Sequence, residues 1–149
     1  MIVSQARQED VEGIAYLFNE YRMFYGKQSD INGTKDYISK RLTHKESVIF
    51  FVKKDGSYAG FSQLYPSFSS ISMKRDWILN DLFVDSDARG QGVGNMLLQK
   101  AKEYAIQTGA KGISLCTTVD NEQAQRLYEK NGYVRDSHYY HYELDTSFL

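Results

Sequence analysis

The stretch from Trp77 to Ala105 constrains the fold of this chain more than any other. "WILNDLFVD" is apolar on both faces, with Trp77, Leu79 and Phe83 alternating against Ile78, Leu82 and Val84. A strand of that kind is covered on two sides, so helices are expected on both faces of its sheet. Glycines at 90, 92 and 94 follow, and then Val93, Met96, Leu97, Ala101, Tyr104 and Ala105 recur at helical spacing. A buried strand that passes through such a loop into an amphipathic helix leaves free amides and a partial positive charge at the loop, which suits an anion such as phosphate. Glycine costs conformational entropy and packs nothing, so three together point to close backbone approach.

The remaining pattern supplies a sheet around that unit. A short strand near Ile2 to Ala6 precedes a helix from about Gln8 to Phe24, and a second helix is predicted from Thr34, as N-cap, to Leu42. "SVIFFVK" and "YAGFSQLY" flank "KDGS", which is hairpin chemistry. "KGISLCTT" reads as a buried strand, with Cys116 an inert core residue. "DNEQAQRLYEKNG" reads as a short helix capped by Asp120 or Asn121 and stopped at Gly132. "YVRDSHYYHYELD" is expected to close the chain as a strand pair. The order β-α-α-β-β-β-α-β-α-β-β is mixed α/β. It is expected as one domain over residues 1–149, with no linker or repeat and Pro66 the only proline.

Composition narrows the partners. A net charge of −1 gives no global field for nucleic acid or an anionic membrane. No apolar run approaches the ~20 residues that span a bilayer. A single cysteine rules out an intrachain disulfide framework, and "MIVSQARQED" turns polar by Ser4, so a cytoplasmic location is expected. His44, His138 and His141 make no metal set, because positions three apart on a strand face opposite sides. Twelve tyrosines and eight phenylalanines leave two readings open, an aromatic core or an aromatic-walled pocket or interface.

Spacing decides which phosphate loop this is. A P-loop fails, since five residues on from Gly90 stands Asn95, and Lys100 comes a full turn too late. The dinucleotide fingerprint fails at the same Asn95, and no acidic residue ends a second strand ~20 residues on. What fits is Arg89-x-x-Gly92-x-Gly94, followed by Asn121, Ala124, Leu127, Tyr128, Gly132 and Tyr133 in "NEQAQRLYEKNGY". Together these resemble the two cofactor segments of the GNAT family of N-acetyltransferases. The resemblance implies a mostly antiparallel central sheet, helices on both faces and a splayed central strand pair.

It also implies acetyl-CoA as cofactor, with no metal. Arg89, Gly90, Gln91, Gly92, Val93, Gly94 and Asn95 would hold the pyrophosphate. Leu82, Phe83 and Val84 would offer backbone groups to the pantetheine arm, with the amide of Phe83 or Val84 as oxyanion donor. Asn121 and Ala124 would border that arm, Asn121 serving equally well as a plain helix cap. Tyr128 would protonate the leaving thiolate, a mildly uphill transfer from a phenol near ~10 to a thiol near ~8.5. "LNDLFV" resembles the "LEDFFV" of the diamine acetyltransferases, with Asn80 where a glutamate would act as base. Water drained through Asn80, Asp81 or a backbone carbonyl is the expected substitute. Glu20, Tyr21, Tyr25 and Asp30 could select a cationic amine with Asn80 and Asp81, or form an ordinary acidic face over an aromatic core. Acetylation of a small primary amine, such as a polyamine, is thus the leading expectation. A CoA-binding module without turnover and an acetyltransferase for protein termini or lysines are the alternatives. The tyrosine-rich end suggests a homodimer.

Overall fold

The computed structural model describes residues 1–147. Five strands stand in the order β1 (Ile2–Gln5), β2 (Val48–Lys54), β3 (Ser57–Ser69), β4 (Lys74–Val84) and β5 (Ile113–Ser114). The first four pair antiparallel in sequence order, and β5 joins β4 in parallel after a helical crossover. "VIFFVKK" shows why helices cover both faces. Phe50 and Val52 join the core beneath α3 (Val93–Gln107), whereas Ile49 and Phe51 join the core beneath α1 (Val11–Phe24) and α2 (Ile31–Thr43). The mixed sheet, covered on both sides and opened beside β4, is the arrangement expected above.

Local chemistry sets the boundaries. At the β2–β3 hairpin Asp55 and Gly56 both have positive φ, 51° and 79°, which matches the right-handed twist of the flanking strands. α2 begins earlier than Thr34, because the Asp30 carboxylate accepts from Gly33 N at 2.9 Å and caps the helix, leaving Thr34 buried in its first turn. A 3₁₀ turn over Gln8–Asp10 replaces the expected first turn of α1.

The register of β3 against β4 departs from simple alternation. Gln63 faces Asp81 and Leu64 faces Leu79, so Asn80 is an extra residue on β4. This bulge reverses side-chain parity. Trp77 and Leu79 pack beneath α3, but past the bulge it is Leu82 and Val84 that do so, while Phe83 turns toward α1. Sequence alternation had grouped Phe83 with Trp77 and Leu79.

Two further expectations give way. "KGISLCTT" pairs with β4 only through Ile113 and Ser114, because β5 then diverges; Cys116 is exposed and not in the core. The closing strand pair is absent among the described residues: 134–147 form no strand and are exposed throughout. A strand needs a partner edge, and this segment finds none within its own chain.

Gly60 carries the contact between the sheet and α3. A Cβ there would stand 2.7 Å from Val93 Cγ1 and 3.0 Å from the Phe83 carbonyl oxygen. Gly60→Ala is expected to cost ~1–3 kcal/mol through overpacking. Urea unfolding checks this, and an unchanged midpoint would show that α3 moves freely.

Candidate active site

The loop after β4 is built to leave amides free. Gly90 and Gly92 hold φ of 75° and 84°, the left-handed region that a Cβ disfavours, and Gly92 is the residue before α3. Among the described residues no protein acceptor engages the amides from Gly90 to Asn95; the first bond of the helix is Met96 N to the Gly92 carbonyl, 3.0 Å. These free donors at a helix N-terminus fit a diphosphate. Arg89 is exposed, its Nε donating to the Val84 carbonyl at 3.2 Å and its guanidinium 5.8 Å from the Phe83 ring centre. Gln91 donates to the Asp87 carbonyl and accepts from Lys54 Nζ. Lys54 therefore brings a cation from the β2–β3 hairpin to the loop. Nothing in the local sequence signals it, because the two segments meet only through the sheet.

Gly94 has a different purpose. A Cβ there would lie 3.0 Å from Leu127 Cδ2, so the glycine lets α4 (Glu122–Lys130) pack against α3. Asn121 caps α4, its side-chain oxygen accepting from Ala124 N at 3.1 Å. Asn131 Nδ2 reaches Asn95 Oδ1 at 2.7 Å and ties the end of α4 to the start of α3. These contacts hold Tyr128 against the core on the α3 side of the sheet. Its phenol is held above the ordinary range, first by burial and then by the nearby Tyr25. It is protonated at neutral pH.

The parity reversal at Asn80 determines the opposite wall. Asp81 is 6% exposed and points toward α1, accepting from Gln63 Nε2 at 2.8 Å and from Asn80 Nδ2 at 3.2 Å. The Tyr21 hydroxyl faces the same carboxylate. Burial lifts the Asp81 carboxyl above its usual range against the lowering effect of Gln63, Asn80 and Tyr21. Tyr21 is itself raised by burial and by Asp81. Its ring meets Tyr25 at 5.1 Å and Phe83 at 5.8 Å, both edge to face. Gln63 is fully buried, and its Oε1 has no hydrogen-bond partner among the described residues. Gln63 escaped sequence reasoning because its role depends on the β3–β4 register.

The structure thus brings Tyr21, Tyr25, Asn80, Asp81 and Tyr128 together. Asp30 is taken up by the cap of α2, and Glu20 is half-buried without an ion pair among the described residues. Tyr65, raised by burial, shares a 2.7 Å bond with Tyr37 and extends the aromatic wall. A hollow of about 670 Å³ by Ser4, Arg7 and Asp10 shares no residue with this cluster.

The model of the acetyltransferase (GNAT) family matches residues 14–133. The chain belongs to that family. It is 49% identical over 146 residues, 98% of both chains, to the uncharacterized N-acetyltransferase YhfO of Bacillus subtilis. A crystal structure of a probable acetyltransferase, 45% identical, superposes with a TM-score of 0.94 over 99% of both chains. More distant relatives differ in acceptor. The aminoalkylphosphonate N-acetyltransferase of Salmonella typhimurium is 27% identical, covering 90% of this chain and 84% of its own. N-alpha-acetyltransferase 30 of Schizosaccharomyces pombe is 28% identical, covering 59% and 71%. The chain is accordingly an N-acetyltransferase, and its family uses acetyl-CoA.

A carboxyl whose pKa rises on folding carries a cost that is present at neutral pH and vanishes below the carboxylate range. Asp81→Asn is therefore expected to raise Tm at pH 7, and the gain should shrink as pH falls through that range. Thermal unfolding across pH checks it. A lower Tm at pH 7 would mean that the surrounding donors more than offset the buried charge.

Proposed function

We propose that this acetyltransferase acts on the primary amine of a small cationic molecule, with polyamines and related diamines the class that fits best. The observation that carries the reading is the buried Asp81 carboxylate, held by Gln63 and Asn80 and gathered with Tyr21, Tyr25 and Tyr128. Aromatic faces and a carboxylate attract an alkylammonium group.

Acetyl-CoA, when bound, supplies a thioester carbonyl and a thiolate leaving group. The free amides from Gly90 to Asn95 would hold its diphosphate, with Arg89 adding charge. β5 pairs with β4 no further than Ile78, so backbone groups of Leu82, Phe83 and Val84 that do not bond β3 would be free for the pantetheine arm and would polarise the carbonyl. A free alkylamine has a pKa near ~10.4, about three units or ~4 kcal/mol from its reactive form at neutral pH. Burial makes Asp81 a better base than an exposed carboxylate, and it drains the proton through water bridged to Asn80. The Tyr128 hydroxyl would give its proton to the departing sulfur.

Further support comes from the aminoalkylphosphonate relative, whose name describes a small amine. The chain reads as a cytoplasmic enzyme, consistent with its single cysteine.

An amine panel with acetyl-CoA, read by thiol release, tests the proposal. Diamines and polyamines should give turnover, and Tyr128→Phe should lower kcat at least ~10²-fold while the affinity for CoA stays the same. Mass spectrometry of peptide mixtures covers the other acceptor class. Acetylated peptides with no turnover on small amines would overturn the reading.

A further inference from the structure

The tip of the β2–β3 hairpin stands beside the anion loop, and alternation along β2 explains what it brings there. Val48, Phe50 and Val52 join the core beneath α3, so Lys54 falls on the same face. Phe50 lies against the middle and C-terminal part of α3, its ring 5.4 Å from that of Tyr104 and 6.0 Å from Lys100 Nζ. At the other end of the row, Lys54 Nζ donates to Gln91 Oε1, one residue before the Gly92 N-cap of α3. β2 and α3 therefore run in opposite directions, and Lys54 ends its row at the helix N-terminus.

The hairpin is fixed in that place from several sides. Lys54 and Ser57 form the last pair of the ladder before the turn at Asp55 and Gly56. At the hairpin's base, Asp85 N donates to the Ala59 carbonyl at 2.8 Å and ties the chain entering the loop to β3. From the loop, Gln91 Nε2 donates to the Asp87 carbonyl at 3.3 Å, which leaves its oxygen for the lysine. Lys54 is half-buried, with a partly packed stem that carries the charge to the loop.

This is an unfavourable place for a cation. A helix N-terminus carries a partial positive charge and repels one, and Arg89 adds a second positive side chain close by in the chain. Asp55, Asp85 and Asp87 are near in sequence. Among the described residues, however, no carboxylate comes within ion-pair distance of Lys54 or Arg89. A neutral amide oxygen holds the Lys54 ammonium, and a backbone carbonyl holds Arg89. An anion with oxygens for the loop amides and for the ammonium turns this repulsion into attraction. A charge-assisted bond to phosphate is about twice as strong as the neutral bond to Gln91.

We infer that Lys54 Nζ is a phosphate ligand of the cofactor, delivered from the β2–β3 hairpin and kept aimed at the loop by Gln91. Lys54 can play this part only if the amides from Gly90 to Asn95 take the diphosphate, as proposed above. CoA offers the ammonium the same chemistry from two sources, its diphosphate and the 3′-phosphate on its ribose.

Calorimetric titration of the full chain with CoA tests the role. Lys54→Met keeps the aliphatic stem and removes the charge. At about 0.05 M salt its Kd for CoA should rise at least about tenfold, whereas Lys54→Arg should keep most of the affinity. The gap between K54M and the parent should narrow at about 0.5 M salt, because screening weakens a charge contact and not a packing one. Without ligand, K54M should melt no lower than the parent, since a repelled cation has gone. Dephospho-CoA, which lacks the 3′-phosphate, separates the two sources. A loss that disappears with this ligand assigns Lys54 to the 3′-phosphate, and one that persists assigns it to the diphosphate. Equal CoA affinity in K54M and the parent overturns the role, as does a loss that salt leaves unchanged. A lower Tm for K54M would overturn the repulsion at the helix end. Pantetheine, which has no phosphate, should displace CoA from the parent at least about 10²-fold less well than CoA itself. Equal competition would sink the diphosphate reading and Lys54 with it. Discrimination that K54M retains in full, with parental affinity for CoA, would sink Lys54 alone.

Discussion

The single extra residue at Asn80 is the constraint on which the rest of the site depends. A strand alternates strictly, so one inserted residue moves every side chain beyond it to the opposite face. Without the bulge, Asp81 would stand beneath α3 among Leu97, Leu98 and Ala101, where a carboxylate has no donors. With it, Asp81 turns to the α1 face and meets Gln63, Asn80 and Tyr21. Leu82 and Val84 in turn fill the α3 core that the carboxylate would have disrupted. Packing and chemistry are served by the same local distortion.

The site has two halves with different physical origins. The cofactor half is local: glycines of positive φ, a helix start and its free amides follow one another in the chain. The proposed acceptor half draws on α1, β3, β4 and α4, which meet only in the folded protein. That difference explains why family membership reveals the cofactor and leaves the acceptor open. Free amides accept any diphosphate with a suitable tail, whereas an amine would be chosen by side chains that the fold gathers from separate elements. Lys54 shows the same division on a smaller scale, arriving at the anion loop from a hairpin far away in sequence.

Several elements were legible beforehand because their causes are short-range. The Asp55–Gly56 turn, the stop of α3 and the cap at Asn121 each follow from residues within a few positions. Where reading failed, a competing local signal or a distant partner decided. Asp30 capped α2 in place of Thr34, since its carboxylate reaches Gly33 N. Apolar "KGISLCTT" looked like a buried strand, yet the opening beside β4 leaves Cys116 in solvent. The final segment has a strand's alternation, yet among the described residues 134–147 form no strand, because no edge of the described sheet pairs with them.

The sequence by itself determined the layered sheet, the anion loop and the placement of Tyr128 on a capped helix, because these rest on periodicity, glycine conformational freedom and capping, all local in the chain. Only the tertiary structure decided which way Asp81 points, that Gln63 and Tyr21 surround it, and where β5 leaves β4. Those outcomes depend on register between strands, and register is fixed by how whole faces bury, a quantity that no single stretch of residues contains.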